Sequence, residues 1–289
     1  LMSNKDLLDN IKKLREMTGV GFKDCKVALD ESKGDIEKSI EFLRKKGIAK
    51  ASKKMSRTAS EGLVLVKEKD QQISIIEINS ETDFVAKNSD FINFSKELSD
   101  LNFNCGSDLE ELKKSKMLNG ASVGDNLVNL IAKIGEKITI RRAKFFDNKK
   151  GINFFYVHSA IEKNIGKIIS VVKLSGIIKG KNDKIGSKIA MHIAASNPLA
   201  IDSSGINKEI IEKELEIIKA EITNSGKPVE IVDKISKGKI AKFINDNSLL
   251  NQIWIMDPKK KVSEILKENS LDSDIKVLDF VKYKVGEGV

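Results

Sequence analysis

Cysteine and histidine occur only twice each, as Cys25 and Cys105 and as His158 and His192, all far apart in the chain. Neither a zinc site of the usual spacing nor a disulfide framework is expected from so few ligands. No serine, histidine and acid stand in a pattern that announces a nucleophile and its base, and isolated histidines are most often packing or surface residues. Arginine is scarce as well: only Arg15, Arg44, Arg57, Arg141 and Arg142 among 51 basic residues. Arginine is the side chain whose planar fork grips phosphate through two parallel bonds, so a dedicated nucleic-acid reader is disfavoured. A phosphate loop is missing too. The stretch Gly176 to Asn182 falls one residue short of the required spacing and has Asn182 where Ser or Thr would hold magnesium. These absences leave no expected cofactor or metal and argue against an enzyme. No apolar run approaches the roughly 18 to 20 residues needed to cross a bilayer, and the start lacks the basic-then-apolar pattern of a secretory leader. A cytoplasmic protein with no membrane partner is the expectation.

What is present is enough for a substantial core: 289 residues, 40% of them hydrophobic. Leu1 precedes Met2 and is left out of the argument. The net charge of +9 is unevenly placed, with 14 Lys and Arg against 9 Asp and Glu in residues 1–54. The excess concentrates in Arg44, Lys45, Lys46, Lys50, Lys53, Lys54 and Arg57. Such a run suits either a solvated helix end, where cations favour the macrodipole, or non-specific attraction to a polyanion such as ribosomal RNA.

Hydrophobic periodicity divides the chain. Residues 4 to 47 predict three short helices: one with Leu7, Leu8, Ile11 and Leu14 that stops at Thr18-Gly19, one with Phe22, Cys25, Ala28 and Leu29 that stops at Gly34, and one capped by Asp35 with Ile36, Ile40 and Leu43, ending at Gly47. At about 45 residues such a bundle is marginal alone and better suited to docking on a partner. A polar stretch over residues 51–61 reads as a linker or a helix tail. The period then becomes two: Leu63 to Val66 and Ile73 to Ile78 predict a hairpin, followed by helices over Phe91 to Leu101 and Val123 to Ile134 and a strand at Ile138 to Arg142. The order recurs in Phe154 to His158, Ile168 to Val172, a helix over Ile185 to Ala195, and a closing strand over Ile275 to Val285. The fold class expected is α+β, with two related antiparallel halves in tandem. Into the second half is inserted a helical pair, Ile206 to Thr223 and Val229 to Phe243, joined at Ser225-Gly226-Lys227-Pro228 and carrying Ile210, Ile218, Ile222, Ile231, Ile235 and Ile240. Periodicity alone leaves a projecting antiparallel hairpin and two further core helices equally open. The expected divisions are 1–54, 55–150 and 151–289, with the inserted pair at about 206–246.

One stretch stands out: Glu81-Thr82-Asp83-Phe84-Val85-Ala86-Lys87-Asn88, directly after a strand. Thr82 or Asp83 could cap a helix while Phe84 and Val85 tuck into the core. Alternatively a protruding loop offers Phe84 as an apolar wedge, beside Asp83 as an acceptor, to a partner's pocket. Local sequence does not choose between them.

Six segments in order, "TGVGFKDCKVAL" at 18–29, "ETDFVAKN" at 81–88, "IAKIGEKITIRR" at 131–142, "MHIAASNP" at 191–198, "SGKP" at 225–228 and "VGEG" at 285–288, closely resemble the bacterial elongation factor Ts family, across nearly the whole chain. The resemblance implies a guanine-nucleotide exchange factor for the translational GTPase elongation factor Tu. It also implies a ubiquitin-associated-like (UBA-like) three-helix N-terminal module, a two-part core and an inserted coiled-coil hairpin. By the same resemblance, Thr82, Asp83, Phe84 and Val85 enter the GTPase near its bound Mg²⁺. Val20, Gly21 and Phe22 lie in the module that docks on the GTPase domain, and His158 lies near the partner's phosphate side. The hairpin would lean on the partner or on a second copy of this chain, a homodimer. His192 is read as a core residue. Two departures stand out. The residues Ser159 to Asn164 after His158 form a longer segment than the family pattern. Many relatives continue past "VGEG" with a short helical module, whereas this sequence stops at Val289, so a lower affinity is expected. The competing expectation is a basic, RNA- or ribosome-associated translation protein without exchange activity.

Overall fold

The computed structural model describes residues 4–18, 20–224 and 229–289. It is an α+β protein, with eleven α-helices and six antiparallel strands among the described residues. No described helix is long and apolar enough to cross a membrane.

Helices α1 (Asn4–Thr18), α2 (Phe22–Glu31) and α3 (Ile36–Ser52) turn their apolar faces inward around Ile11, Leu14, Cys25, Ala28, Leu29 and Leu43. Asp35 caps α3, its carboxylate accepting the Lys38 backbone N–H at 3.0 Å. The expected stop at Gly47 is wrong: α3 continues to Ser52, taking in the start of the stretch read as a linker. Gly47 lies instead where α3 passes close to α7 (Val123–Ile134), and a Cβ there would already touch Val128 Cγ1 at 3.5 Å. That is ordinary contact distance, so Gly47 neither ends the helix nor is required by the neighbouring one. Most of the basic run is neutralised locally: Arg44 pairs with Asp125 at 2.7 Å, Lys45 with Glu41 at 2.7 Å, and Lys46 and Lys50 both with Asp24, at 3.1 and 3.0 Å.

Strands β1 (Glu61–Lys69) and β2 (Gln72–Ser80) form the expected hairpin. Its two turn residues, Asp70 and Gln71, are both left-handed, with φ of 51° and 63°, the handedness that matches strand twist. Helices α4 (Asp83–Ala86), α5 (Ser89–Asn104), α6 (Leu109–Lys114) and α7 follow before β3 (Ile138–Phe146) pairs with β2. In the second half β4 (Ile152–Glu162) and β5 (Ile165–Ser175) make a hairpin. Helices α8 (Lys184–Ser196), α9 (Lys208–Asn224), α10 (Val229–Asp246) and α11 (Val262–Asn269) precede β6 (Lys276–Lys284), which pairs with β5. Each half is thus a hairpin, then helices, then a strand that returns to the hairpin's second member. The segment after His158 extends β4 and carries a register shift between Ala160 and Glu162.

The two three-stranded layers are joined into one sheet where β1 meets the start of β5, at Val64 with Gly166 and Leu65 with Ile165, next to the Val66 N–H that donates to the Asn164 carbonyl at 3.0 Å. Beyond that corner they face each other through Val64, Val66, Ile73 and Ile75 on one side and Ile169, Val171 and Tyr283 on the other. Leu63, Leu65, Ile76 and Ile78 point the opposite way, onto Phe91, Leu98, Val123 and Ile131 of the covering helices. Both faces of β1 and β2 are buried, so β1 reads as the continuous apolar run Leu63 to Val66, while β2 buries Ser74, Glu77, Asn79 and Ser80 among its isoleucines. The far side of the second layer packs Val172, Leu174 and Val277 against α8, α11 and Trp254. Helices α9 and α10 pack on each other through Ile218, Ile222 and Val232. The junction expected at Ser225 to Pro228, and the Ile231 side chain, lie outside the described residues.

Between the layers sits one fully buried carboxylate. Glu77 accepts from Arg141 Nη1 at 3.0 Å, Arg142 Nε at 2.6 Å, the Asn79 amide at 3.0 Å and the Gly286 backbone N–H at 2.9 Å. Burial alone would raise its pKa, but those donors outweigh it and hold the group below the ordinary glutamate range. The arginines also bind the chain end: Arg141 donates to the Glu287 carbonyl at 2.5 Å and Arg142 to the Lys284 carbonyl at 3.3 Å, its guanidinium lying 4.3 Å from the Tyr283 ring centre. Burial pushes the Tyr283 hydroxyl up to about 12. Gly286 has φ of 72°, and a Cβ there would fall 2.0 Å from the Ser60 carbonyl oxygen, so only glycine fits the bend. The "IRR" and "VGEG" segments therefore meet as a latch that ties β6 to the first layer.

In the second layer His192 is fully buried on α8 and stacks on Trp254 with centres 5.1 Å apart. The Ile255 backbone N–H donates to Nδ1 at 3.4 Å, so Nε2 carries the proton and donates to Gln252 Oε1 at 3.0 Å. Burial depresses its pKa below 6.5 against the opposing hydrogen bond to Gln252.

Two outcomes follow from these buried groups. Glu77→Ala leaves two guanidinium groups and the Gly286 N–H without their acceptor and is expected to cost about 3 kcal/mol in urea unfolding at neutral pH. His192 has a lowered folded pKa, so the unfolded chain takes up the proton first; stability is full above pH 6.5 and falls below it until the folded form also protonates. Urea midpoints between pH 7.5 and 5.5 are expected to fall less steeply in His192→Gln than in the parent.

Candidate functional site

The loop at 81–88 begins where the β2–β3 ladder ends, at the pair Ser80 with Ile138. Four residues, Asp83–Ala86, form the short α4, and a new helix then starts at Ser89. Its cap is Asn88, whose side chain accepts from the Asp90 and Phe91 backbone N–H groups at 2.9 and 3.3 Å. Neither Thr82 nor Asp83 caps the long helix. The last residue of the segment does, and α4 is left as a separate knuckle.

On that knuckle neighbouring side chains diverge. Val85 is 6% exposed and joins the core beneath, together with Ala86. Phe84 is 79% exposed, the most exposed aromatic among the described residues. The reading in which both tuck inward is overturned for Phe84. An aromatic ring kept in water forgoes the roughly 2 kcal/mol that its burial would yield, so its outward placement is informative. Asp83 pairs with Lys87 at 2.8 Å, and that hydrogen bond, with a further contribution from the Lys167 charge, holds its carboxyl below the usual range. Of the four loop residues singled out, only Asp83 and Phe84 turn their side chains outward.

Beyond the last ladder pair, side chains continue the pairing. Glu136 accepts from the Thr82 backbone N–H at 3.0 Å through one oxygen and from the Thr82 hydroxyl at 2.8 Å through the other. In return Glu81 accepts the Lys137 backbone N–H at 2.6 Å. Arg57 reaches Glu81 at 3.3 Å, and the Lys137 ammonium donates to the Arg57 carbonyl at 2.8 Å. Gly135, left-handed with φ of 85°, ends α7 and turns the chain so that Glu136 faces the loop. Two segments matched in the sequence, 81–88 and 131–142, are therefore one structural unit.

The other site residues lie on neighbouring surfaces. Val20 and Gly21 line a cleft of about 600 Å³ between the three-helix module and α7, with Lys12, Arg15, Asp24, Lys46 and Lys133. Phe22 follows them, 47% exposed. Lys133 also pairs with Asp90 at 2.8 Å, just past Asn88, so α7 connects this cleft to the loop. His158 is exposed on β4, opposite Ile168, and its Nδ1 lies 3.2 Å from the Tyr156 hydroxyl. Its hydrogen-bond partner is thus on its own strand. The second layer nevertheless approaches the loop, because Lys167 donates to Glu61 at 2.9 Å and to the Gly62 carbonyl at 3.1 Å. Asn182, rejected above as a magnesium residue, braces its own loop by accepting from Ile178 N–H at 2.7 Å and donating to the Asn269 carbonyl at 3.0 Å. Sequence reasoning missed the roles of Glu81, Asn88 and Glu136. The available signal was a glutamate beside each end of two strands that must pair.

A family model described as elongation factor TS matches residues 81–287. The chain is 40% identical over 284 residues to elongation factor Ts of Rickettsia bellii (strain OSU 85-389), an alignment covering 97% of this chain and 92% of the relative. It is 39% identical over 283 residues to that of Rickettsia felis, covering 96% and 91%. It is 40% identical over 282 residues to that of Rhizorhabdus wittichii, covering 96% and 92%. The matched family region starts at the loop that carries Phe84 and ends in the latch that carries Gly286, and the chain belongs to the elongation factor Ts family of translation elongation factors.

Proposed function

We propose that this protein binds elongation factor Tu·GDP and promotes release of GDP and its exchange for GTP, working by contact and not as an enzyme, without a cofactor, in the cytoplasm. The observation that carries the reading is an aromatic side chain, Phe84, held 79% exposed on a knuckle whose base is hydrogen-bonded to the body. Membership in the elongation factor Ts family supports elongation factor Tu as the partner.

A GTPase grips GDP largely through electrostatics: backbone N–H groups and a lysine around the phosphates, and a Mg²⁺ ion that neutralises them. A factor need not compete for those ligands atom by atom. In the proposed mechanism Phe84 enters between helices of the partner and displaces them, which disturbs the water shell of the ion, while Asp83 competes for local hydrogen bonds. Without the ion the diphosphate is poorly neutralised and leaves. Coupling is reciprocal, so a factor that weakens nucleotide binding is itself expelled by incoming nucleotide, and the cycle closes without covalent chemistry.

The remaining surfaces take supporting roles in this reading. The UBA-like three-helix module docks through Val20, Gly21 and Phe22, and His158 contacts the phosphate-side surface. The packed helices α9 and α10 act as a coiled-coil arm that leans on the partner or on a second copy. The RNA-associated alternative draws little support, since Arg44, Lys45, Lys46 and Lys50 are already engaged by carboxylates.

Phe84→Ala is expected to slow stimulated release of labelled GDP from purified elongation factor Tu by about 30-fold, the scale of losing one interface hot spot. Its own unfolding free energy should stay within about 0.5 kcal/mol of the parent because a ring 79% exposed gives up little contact. Stimulation that matches the parent would remove the wedge from the mechanism. Val85→Ala should behave oppositely, losing about 2 kcal/mol of stability while retaining exchange when folded.

A further inference from the structure

The knuckle that bears Phe84 contributes little to its own rigidity. Helix α4 has only four residues, and its Asp83–Lys87 pair is exposed. What fixes the chain entering it is the pair of carboxylates exchanged across the end of the β2–β3 ladder. Glu136 holds both the backbone N–H and the hydroxyl of Thr82, at 3.0 and 2.8 Å, and Glu81 holds the Lys137 N–H at 2.6 Å. The Ser80 hydroxyl adds a bond to the Thr82 carbonyl at 3.0 Å. Both polar groups of the Thr82 backbone are thereby satisfied by side chains, immediately before the residues that reach the partner. Glu136 is separated from Thr82 by 54 positions, so this contact depends on the whole first half being folded.

We propose that Glu136 is a positioning residue for nucleotide exchange: through its two bonds to Thr82 it presets the direction in which Phe84 leaves the body before any partner arrives. This rests on the exchange reading above and deepens it. A loop that samples several directions binds through only a fraction of its population, which raises the apparent dissociation constant by the inverse of that fraction and leaves the rate within the assembled complex unchanged. Charge is not required. In Glu136→Gln the amide oxygen can accept the Thr82 N–H while the amide nitrogen donates to the Thr82 hydroxyl, which reverses one bond and keeps both.

The test is stimulated release of a fluorescent GDP analogue from elongation factor Tu over a range of concentrations of the full chain. The parent is compared with Glu136→Ala, Glu136→Gln, Thr82→Val and Phe84→Ala. Glu136→Ala is expected to raise the half-saturating concentration about tenfold with the maximal rate within about twofold. Glu136→Gln should restore the parent value, and Thr82→Val, which keeps the backbone bond, should fall between. In the free protein, amide hydrogen exchange at residues 82–86 should quicken in Glu136→Ala while β2 and the middle of α5 stay protected. If the parent does not stimulate release, the exchange reading fails; if Phe84→Ala stimulates like the parent, exchange stands but the wedge falls, and the positioning role of Glu136 with it. If Phe84→Ala is defective but Glu136→Ala saturates like the parent, or residues 82–86 exchange no faster, the positioning role alone is overturned. Should Glu136→Ala not fold, Thr82→Val carries the same comparison.

Discussion

The antiparallel pairing of β2 with β3 carries the burden on which the remaining features rest. Nearly every residue of β2 is buried, because helices cover one face and the second layer covers the other. Such a strand cannot slip by one residue without exchanging its two apolar faces, one of which holds a carboxylate. Register is therefore fixed deep inside the protein, and the fixed register delivers Thr82 opposite Glu136 at the ladder's end. A loop on the surface inherits the precision of the core through one strand.

The same strand supplies Glu77, which points to the opposite side from Ile76 and Ile78. Placing an ionised carboxylate between two sheets is costly in isolation, since desolvation works against it. Here four donors arrive from three places in the chain: the same strand, the neighbouring β3, and the tail after β6. The charge thus specifies how the end of the second half closes on the first, a selection that apolar contacts, being non-directional, do not make. The loop lies past one end of β2 and the latch within the strand, so the exposed ring and the layer junction share one support.

Much of this was legible in the sequence and some was not, for identifiable reasons. The boundaries of α7 could be read because Gly135 has the left-handed geometry that helix ends favour. The hairpin turn was placed within Lys69 to Gln72 by the apolar runs on either side, and the structure narrows it to Asp70 and Gln71. Gly47 misled because glycine often follows the end of a helix but is also tolerated inside one, and here the helix runs on to Ser52. Helix α6 escaped notice since six residues give too little period to detect. The direction of Phe84 could not be read: Val85, beside it and equally apolar, is buried, and what separates them is the turn of a four-residue helix. Glu136 and Thr82 are far apart in sequence, so no local pattern joins them, although both stand in segments whose resemblance to a known family was evident. Glu77 offered a clue in advance, being an acid inside "ISIIEI", where an apolar strand has no local use for one.

Among the described residues, backbone pairing between the two layers is short: Val64 with Gly166, Leu65 with Ile165, and the Val66 N–H donating to the Asn164 carbonyl at 3.0 Å. Each hairpin, by contrast, is zipped along eight or more residues. Under a mechanical load the layers would slide before either hairpin opened, because side-chain packing and ionic contacts yield to shear more readily than a row of parallel rungs. The molecule is thus built as two hydrogen-bonded plates on a short corner seam, and away from that seam their mutual placement rests on the apolar contacts between them and on the donors gathered around Glu77.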